Sequence, residues 1–302
     1  MTTTAPRAVF VTRETDYELL LARHATREQA RFYLDTRGQK LAELEARHEQ
    51  FQSVLRQARA AVPDDWRQTL VRRADLDRFL FAPEDVIVAV GQDGLVANVA
   101  KYLTGQPVLG VNPAPDLYDG VLVRVELNRL GAALPACLHG DVAVENRTMV
   151  EGVLDTGEKL LALNELFVGH RSHQSARYRL AIGDAAEDHS SSGLIVASGT
   201  GATGWARSIM EATGQQVALT PQERAVGYFV REPFPSFATG TTLRAGKLDQ
   251  TALQVTSRMN DGGVIFADGI EQDFLPFDWG RQVPKSMSAS SCLCRPLPQR
   301  MQ

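Results

Sequence analysis

The sequence contains little cysteine. The three cysteines, Cys137, Cys292 and Cys294, are too few to form a disulfide framework in a chain of 302 residues. No His or Cys residues stand at the spacing typical of zinc ligands, so we expect no structural metal. This cysteine content predicts a protein of the reducing cytoplasm.

Basic charge and long apolar runs are also scarce. The chain has 32 Lys and Arg against 36 Asp and Glu, a formal net charge of -4 at pH 7. Such a chain lacks the overall positive field that binds a nucleic-acid backbone or an anionic membrane. Near its start only Ala8–Val11 is apolar, too short for a signal-peptide core or a membrane span. We expect no nucleic-acid or membrane partner, and any anionic ligand must be held by local groups.

The first third of the chain predicts alternating strands and helices. Ala8–Val11 is a strand candidate, and Thr26 followed by Gln29 is a capping pattern at the start of a helical stretch. From Leu41 to Val62 apolar residues recur every three or four positions, as on one face of a helix. The continuous apolar run Val86–Val90 is typical of a strand covered on both faces.

The sequence predicts a strand–helix–strand unit. It consists of the apolar run Val86–Val90, a helical segment over Leu95–Leu103 and a second apolar run over Pro107–Val111. This order predicts a parallel sheet. After about residue 120 the pattern changes to alternating strands separated by Gly, Pro, Asp and Asn turns; the strand candidates there are Leu122–Leu127, Val142–Leu154, Ala176–Ile182, Leu194–Ala197, Ala225–Val230, Leu253–Thr256 and Val264–Ala267. Only Trp205–Ala212 and Pro221–Arg224 have helical character in that part.

These patterns predict three parts. Residues 1–117 form an α/β domain, residues 118–283 a mostly β domain, and residues 284–302 a tail that packs back on the first domain.

A first motif, Gly91-Gln92-Asp93-Gly94, stands between the buried strand and the helix after it. Glycines allow a sharp turn close to a phosphate, and a carboxylate at the carboxyl end of a strand is placed for acid–base chemistry. A tight turn with Asp93 as helix cap remains the alternative.

A second motif, Asn164-Glu165, interrupts an apolar run, and if buried both side chains need hydrogen-bond partners. A carboxamide beside a carboxylate suits the hydroxyl groups of a sugar. The alternative is a pair of strand-edge residues satisfied by the backbone.

A third motif, residues 191–205, contains Gly199, Gly201 and Gly204 in the spacing G-x-G-x-x-G. A Rossmann domain is rejected because strands and turns, with almost no helix, follow over residues 225–283. A P-loop is excluded because no Lys-Ser/Thr follows the glycines. A loop of this composition before a helix still offers N–H and hydroxyl groups to a nucleotide.

Taken in order, these stretches resemble the NAD kinase family, and more closely its divergent mitochondrial-type branch. GQDG at 91–94 is similar to the family's GGDG signature, and LNELFVG at 163–169 to its Asn-Glu motif. Residues 191–205 resemble its nucleotide loop, and VREPF at 230–234 and ADG at 267–269 extend the likeness. The resemblance implies a Rossmann-like α/β amino-terminal domain and a β-sandwich-like carboxy-terminal domain, with NAD in the cleft between them.

The resemblance also implies residue roles. Asp93 is the base that activates the 2′-hydroxyl of the adenosine ribose. The NAD-binding residues are Gly94, Asn164, Glu165, Thr200, Thr203 and Trp205. The donor-phosphate residues are Gly91 and Gln92, with Lys101 and Arg124 as candidate cations whose alternative is solvated surface charge. Two departures, Gln92 for the second glycine and Leu95 for the usual threonine, alter the donor side.

The expected function is a kinase that transfers a phosphoryl group from ATP, or another donor with Mg²⁺, to NAD. The alternatives are a kinase of the same fold that acts on a sugar or lipid hydroxyl, and a non-catalytic nucleotide sensor, which the departures at Gln92 and Leu95 motivate. We expect a cytoplasmic homodimer or homotetramer.

Overall fold

The computed structural model describes residues 5–141, 144–249, 251 and 253–283, and the backbone of 288–296. The chain divides into two compact units. Of the described residues, the first unit contains those up to Val99, those between Leu103 and Glu145 and the backbone of 294–296, and the second contains Ala100–Tyr102 and those between Asn146 and Leu293. The first unit thus continues past residue 117, where the sequence pattern changes. Of the predicted tail, only the backbone of 288–296 lies within the described residues.

The first unit is built on a four-stranded parallel sheet in the order β2-β1-β3-β4. Its strands are β1 (Arg7–Thr12), β2 (Arg67–Arg72), β3 (Asp85–Val90) and β4 (Val108–Val111). Every residue of β3 is buried, as the unbroken apolar run predicts. The expected parallel sheet is therefore confirmed.

In the described part of the chain, five α-helices accompany this sheet: α1 (Asp16–His24), α2 (Arg27–Asp35), α3 (Leu41–Ala60), α4 (Asp93–Ala100) and α5 (Leu130–His139). The Thr26 side chain caps α2 by accepting the N–H of Gln29. The complete capping box lies at α1, between Thr15 and Glu18, and was not predicted. The apolar face of α3 packs on the core of the sheet through Leu55 and Ala58.

The strand predicted over Leu122–Leu127 is wrong. Residues 121–126 form no strand, because the N–H groups of 121–123 bind a side chain instead of a neighbouring strand. This segment runs so close to β4 that a Cβ on Gly110 would lie 2.4 Å from the carbonyl oxygen of Leu122. The unpredicted helix α5 follows, anchored by the buried residues Leu130 and Leu134 although Pro135 lies inside it.

The second unit consists mainly of antiparallel strands. Its largest sheet has the order β12-β11-β10-β7-β14-β15, and a second sheet has the order β16-β13-β8-β9. A third, three-stranded sheet has the order β17-β5-β6. The strands are β5 (Val144–Val153), β6 (Lys159–Ala162), β7 (Glu165–His170), β8 (Ala176–Ile182), β9 (Ala185–Ser191), β10 (Leu194–Ala197), β11 (Val226–Val230), β12 (Ala245–Leu248), β13 (Leu253–Ser257), β14 (Gly263–Ala267), β15 (Phe274–Pro276), β16 (Gln282–Val283) and β17 (Ser288–Pro296).

Side chains from the two larger sheets share one apolar core. It includes Leu166, Val196 and Tyr228 from the six-stranded sheet, and Tyr178 and Val255 from the four-stranded sheet. The predicted sandwich-like packing is therefore confirmed. Helix α6 (Trp205–Thr213) is also confirmed, whereas Pro221–Arg224 forms a turn rather than a helix. Among the described residues, no helix has the length and hydropathy that crossing a membrane requires.

Candidate functional site

In the first unit, the acidic residue of the first motif lies at the start of a helix. Asp93 is the first residue of α4, and two residues separate it from the end of β3. Its carboxylate accepts three backbone hydrogen bonds, at 2.9 Å from Val121, 2.7 Å from Leu122 and 3.1 Å from Val123. Asp93 therefore holds the irregular segment 121–123 in place.

The residues around Asp93 show how the two departures from the family pattern fit the fold. Leu95 is buried, and a Cβ on Gly91 would lie 2.8 Å from its Cδ2 atom. Gln92 is exposed, and its carbonyl accepts the N–H of Leu95. Gly94 has open space where a Cβ would be. Leu95 therefore packs inward, and the carboxamide of Gln92 remains accessible to a ligand.

The two candidate cations have different surroundings. Arg124, in the first unit, is exposed, and its Nε donates to the carbonyl of Gly120 at the edge of a cavity of about 970 Å³. Lys101, in the second unit, has a side chain that is 1% exposed, with Nζ 2.6 Å from Asp273. The Tyr102 hydroxyl donates to the same carboxylate at 2.6 Å. Arg124 is therefore open to solvent, whereas the charge of Lys101 is already paired.

In the second unit the structure brings the other motifs together around the backbone of Leu163–Glu165. Asp268, the aspartate of the ADG sequence, accepts the N–H groups of Leu163 at 2.9 Å, Asn164 at 2.7 Å and Glu165 at 3.2 Å. The backbone at Asp268 has a φ of +50°, a left-handed conformation that Asp tolerates better than most residues. One buried carboxylate thus pairs three successive N–H groups.

The loop after β10 holds the same segment from its carbonyl side. The Ser198 hydroxyl donates to the carbonyl of Leu163 at 2.5 Å, and the Ser198 N–H donates to the carbonyl of Asn164. Gly201 packs against this backbone so tightly that a Cβ there would lie 2.1 Å from the carbonyl oxygen of Asn164. This close approach explains the glycine of the third motif.

In the described structure, the side chains of Asn164 and Glu165 have no hydrogen-bond or ion-pair partner. Within the described part of the chain, neither the Asn164 carboxamide nor the Glu165 carboxyl group makes a hydrogen bond or an ion pair. Both residues are only partly exposed. Burial, together with the nearby carboxylate of Asp268, raises the pKa of Glu165 to about 7. Burial likewise raises the pKa of Asp268 to about 6, although its three N–H partners oppose the shift.

The remaining predicted nucleotide residues lie on the loop and at the start of α6. Thr200 accepts a hydrogen bond from Arg147 at 3.1 Å, and Thr203 donates from its hydroxyl to the carbonyl of Thr200. The Trp205 indole is stacked on Phe167, with ring centroids 6.0 Å apart, and the guanidinium of Arg231 lies 5.0 Å from its ring centre. Of Thr200, Thr203 and Trp205, Thr203 is the most exposed to solvent. The Trp205 ring already contacts other side chains.

Sequence reasoning missed three residues that build this site: Asp268, Ser198 and Arg147. The signal for Asp268 was present, because an aspartate directly before Gly269 at the end of an apolar strand indicates a turn in which Asp and Gly adopt positive φ. Ser198 and Arg147 left no comparable signal, since their partners are distant in the sequence.

The fold of this chain is similar to that of solved NAD kinase structures. The NAD kinase from Archaeoglobus fulgidus, solved in complex with ATP, matches with a TM-score of 0.55 at 20% identity, over 95% of this chain and 92% of that one. Yeast NADH kinase, solved with NADH, matches with a TM-score of 0.54 at 14% identity, over 97% of this chain and 84% of that one. The protein therefore has the fold of the NAD kinases.

Sequence comparison agrees with the fold. The chain is 32% identical to the NAD kinase of Clostridium kluyveri over 129 residues, which is 40% of this chain and 44% of the relative. Other curated NAD kinases match at 26% to 37% identity. The chain thus spans about half the length of the curated relatives it matches, and no protein-family model matches it. The resemblance to the NAD kinase family is confirmed, and the mitochondrial-type branch stays a prediction.

The contacts of Asp93 predict that Asp93→Asn destabilises the protein. An asparagine places its NH₂ group opposite one of the three N–H donors, which leaves a donor facing a donor. We expect a loss of about 1–3 kcal/mol in the free energy of unfolding, measured with denaturant. Asp119→Asn, at an exposed acid near the same segment, is the matched control and should change stability little. Equal stability of the two variants would show that the three bonds contribute nothing.

Proposed function

We propose that this protein transfers a phosphoryl group from a nucleoside triphosphate to the 2′-hydroxyl of the adenosine ribose of NAD. One observation carries the proposal. Asn164 and Glu165 sit on a backbone fixed by Asp268 and Ser198, yet within the described structure their polar side chains make no hydrogen bond or ion pair. Half-buried polar groups that lack partners in the protein are suited to bind the hydroxyls of a ligand.

The relatives supply the chemical class. The curated proteins that match are named NAD kinases, and the two solved neighbours carry ATP and NADH. In our proposal six residues contact the dinucleotide: Gly94, Asn164, Glu165, Thr200, Thr203 and Trp205. Gly91, Gln92 and Arg124 face the donor phosphates, and Lys101 contributes its positive charge to the same side, although it is paired with Asp273.

The proposed reaction needs little covalent chemistry from the protein. Phosphoryl transfer depends mainly on positioning and on neutralising charge, which Mg²⁺ supplies when it is bound to the triphosphate. No cluster of three or more His, Cys, Asp or Glu in the described residues could hold a metal, so in the proposal Mg²⁺ enters with the donor. The hydroxyl proton needs an acceptor. In the proposal Asp93 accepts it, the role that the family resemblance implies.

We also propose that the protein is a cytoplasmic homodimer or homotetramer. Self-association is supported by exposed aromatic side chains of the second unit, namely Phe234, Phe237 and Trp279. The proposed location rests on the low cysteine content of the sequence.

The direct experiment is an assay of the purified protein with NAD or NADH as acceptor and ATP, other nucleoside triphosphates or polyphosphate as donor. We expect NADP or NADPH, identified by mass. Glucose and diacylglycerol as alternative acceptors test the related kinase activities. Binding of NAD without any phosphorylated product would instead support the nucleotide sensor.

A second prediction concerns the acceptor side. Asn164→Ala should weaken NAD binding by about 1–3 kcal/mol, because the carboxamide that would bind the ribose is removed. Thermal stability should change little, since the side chain has no described partner to lose. Calorimetry with NAD and with ATP separates the two ligands. Unchanged NAD affinity would move the acceptor site elsewhere.

The donor side gives a third prediction. Gln92→Ala should raise the apparent KM for the donor and leave NAD affinity nearly unchanged, because the exposed carboxamide can donate to a phosphate oxygen. The double variant Gln92→Gly with Leu95→Thr should recover donor binding relative to Gln92→Ala, at some cost in stability because Leu95 is buried. Steady-state kinetics with varied donor decide this, and an unchanged KM in Gln92→Ala would remove Gln92 from the donor site.

A further inference from the structure

The stretch VREPF at 230–234 contacts both ends of the third motif. Its first residue ends β11, and directly after it the N–H of Arg231 donates to the carbonyl of Gly193 at 2.8 Å, near the beginning of the motif. The carbonyl of Arg231 accepts the N–H of Ser192 at 2.9 Å. The guanidinium of Arg231 lies over the ring of Trp205, the last residue of the motif, 5.0 Å from the ring centre. The backbone of Arg231 is therefore fixed, and its charged group lies beside a residue assigned to the dinucleotide.

The guanidinium of Arg231 uses little of its hydrogen-bonding capacity. In the described structure its one hydrogen bond, from Nη1 to the carbonyl of Ser192, is 3.5 Å long, and the carboxylate of Glu232 lies 3.7 Å from Nη2. A guanidinium carries five N–H donors in a planar fork. By contrast, Arg207 on helix α6 donates to Glu211 at 2.8 Å. Arg231 is partly exposed, and most of its donors are therefore available to an anion.

The backbone directly after Arg231 is strained. Glu232 has a φ of +41°, in the left-handed region that residues other than glycine rarely adopt. It also precedes Pro233, and the residue before a proline favours extended conformations. The turn is held by the N–H of Phe234, which donates to the carbonyl of Ser190 at 2.8 Å. Strained residues of this kind concentrate at ligand sites, and here the strain lies next to a cation with spare donors.

Two other cations of the second unit that belong to the candidate site are already engaged. Arg147 is buried and donates to Thr200, and Lys101 is buried and paired with Asp273. With a net charge of -4, the chain supplies no general positive field, so an anionic ligand depends on individual groups. Arg231 is the accessible cation next to the nucleotide loop that can meet this need.

We infer that Arg231 binds a phosphate group of the dinucleotide. The inference rests on the proposed function and adds to it a contact on the acceptor side. The planar fork of a guanidinium matches two oxygens of one phosphate, and such a charge-assisted pair is stronger than a neutral hydrogen bond. The phosphate has two possible sources. One is the pyrophosphate bridge, which NAD and NADP share, and the other is the 2′-phosphate, which only NADP has.

Calorimetry of the full chain with NAD and NADP tests the contact. Arg231→Gln should lower the affinity for at least one of the two dinucleotides by about 10–100-fold, because a charged hydrogen-bond partner is removed. Arg231→Lys should lose less, since it keeps the charge and loses the fork. Arg207→Gln, which removes an exposed arginine paired within α6, is the matched control and should bind as the wild type does.

Two further measurements separate phosphate binding from a structural role under Trp205. Adenosine has no phosphate, so as a competitor of NAD it should bind the wild type and Arg231→Gln equally. Salt screens an accessible charge pair, so the affinity of the wild type for the dinucleotide should fall as ionic strength rises. Arg231→Gln and Arg231→Lys should differ here, because only the lysine variant keeps the charge that responds to salt.

The outcomes identify the phosphate. An equal loss for NAD and NADP assigns Arg231 to the pyrophosphate, and a loss for NADP alone assigns it to the 2′-phosphate. Unchanged affinity for both dinucleotides, or an equal loss for adenosine, overturns the inference. If the wild type nevertheless forms NADP, the proposed function stands and only the inference falls. A wild type that binds neither dinucleotide overturns both, and one that binds NAD without forming product overturns the proposed function while the variants still decide the role of Arg231.

Discussion

In two short irregular segments of the described chain, an aspartate side chain takes the place of a neighbouring strand as the partner of backbone N–H groups. Backbone N–H groups away from water must be paired, and failure to pair them costs free energy comparable to a lost hydrogen bond. Asp93 pairs the N–H groups of 121–123, and Asp268 pairs those of Leu163–Glu165. Each aspartate lies at the end of a strand–turn sequence and fixes a chain segment that is distant in the sequence. Most features of the candidate site depend on this arrangement.

In the second unit, the binding of Leu163–Glu165 by Asp268 determines how closely the loop after β10 packs against this segment. With Leu163–Glu165 drawn toward Asp268, its carbonyl groups face the loop after β10, where Ser198 binds them. No side chain fits at Gly201, because the backbone of Asn164 occupies the space. The third motif is therefore glycine-rich at this point for a packing reason, whether or not a nucleotide also binds the loop. Sequence alone could not separate these two reasons.

Most of the fold could be predicted from the periodicity of apolar residues. The segment Leu122–Leu127 and helix α5 could not, because both depend on contacts with residues distant in the sequence. The parallel strands, α3, α6 and most of the antiparallel strands show clear patterns of apolar residues. Leu122–Leu127 has the same alternating pattern, yet its N–H groups bind Asp93, a contact across about thirty residues that no local pattern contains. Helix α5 was missed because Gly131 and Pro135 disfavour a helix, and tertiary packing of Leu130 and Leu134 overrides that preference. The site was predicted as motifs, but Asp268 as its organising residue was not.

The ion pair between Lys101 and Asp273 bears on how the chain folds during synthesis. The two residues are 172 positions apart, and the side chain of Lys101 is almost fully buried when they meet. Ala100–Tyr102 belongs to the second compact unit although the helix directly before it belongs mostly to the first. On the ribosome, Lys101 emerges long before its partner and stays hydrated until nearly the whole second unit has been made. Contacts of such long range form late and slow folding. The second unit therefore cannot complete its structure from its own continuous stretch of sequence, and a fragment starting at Asn146 would leave Asp273 without its cation.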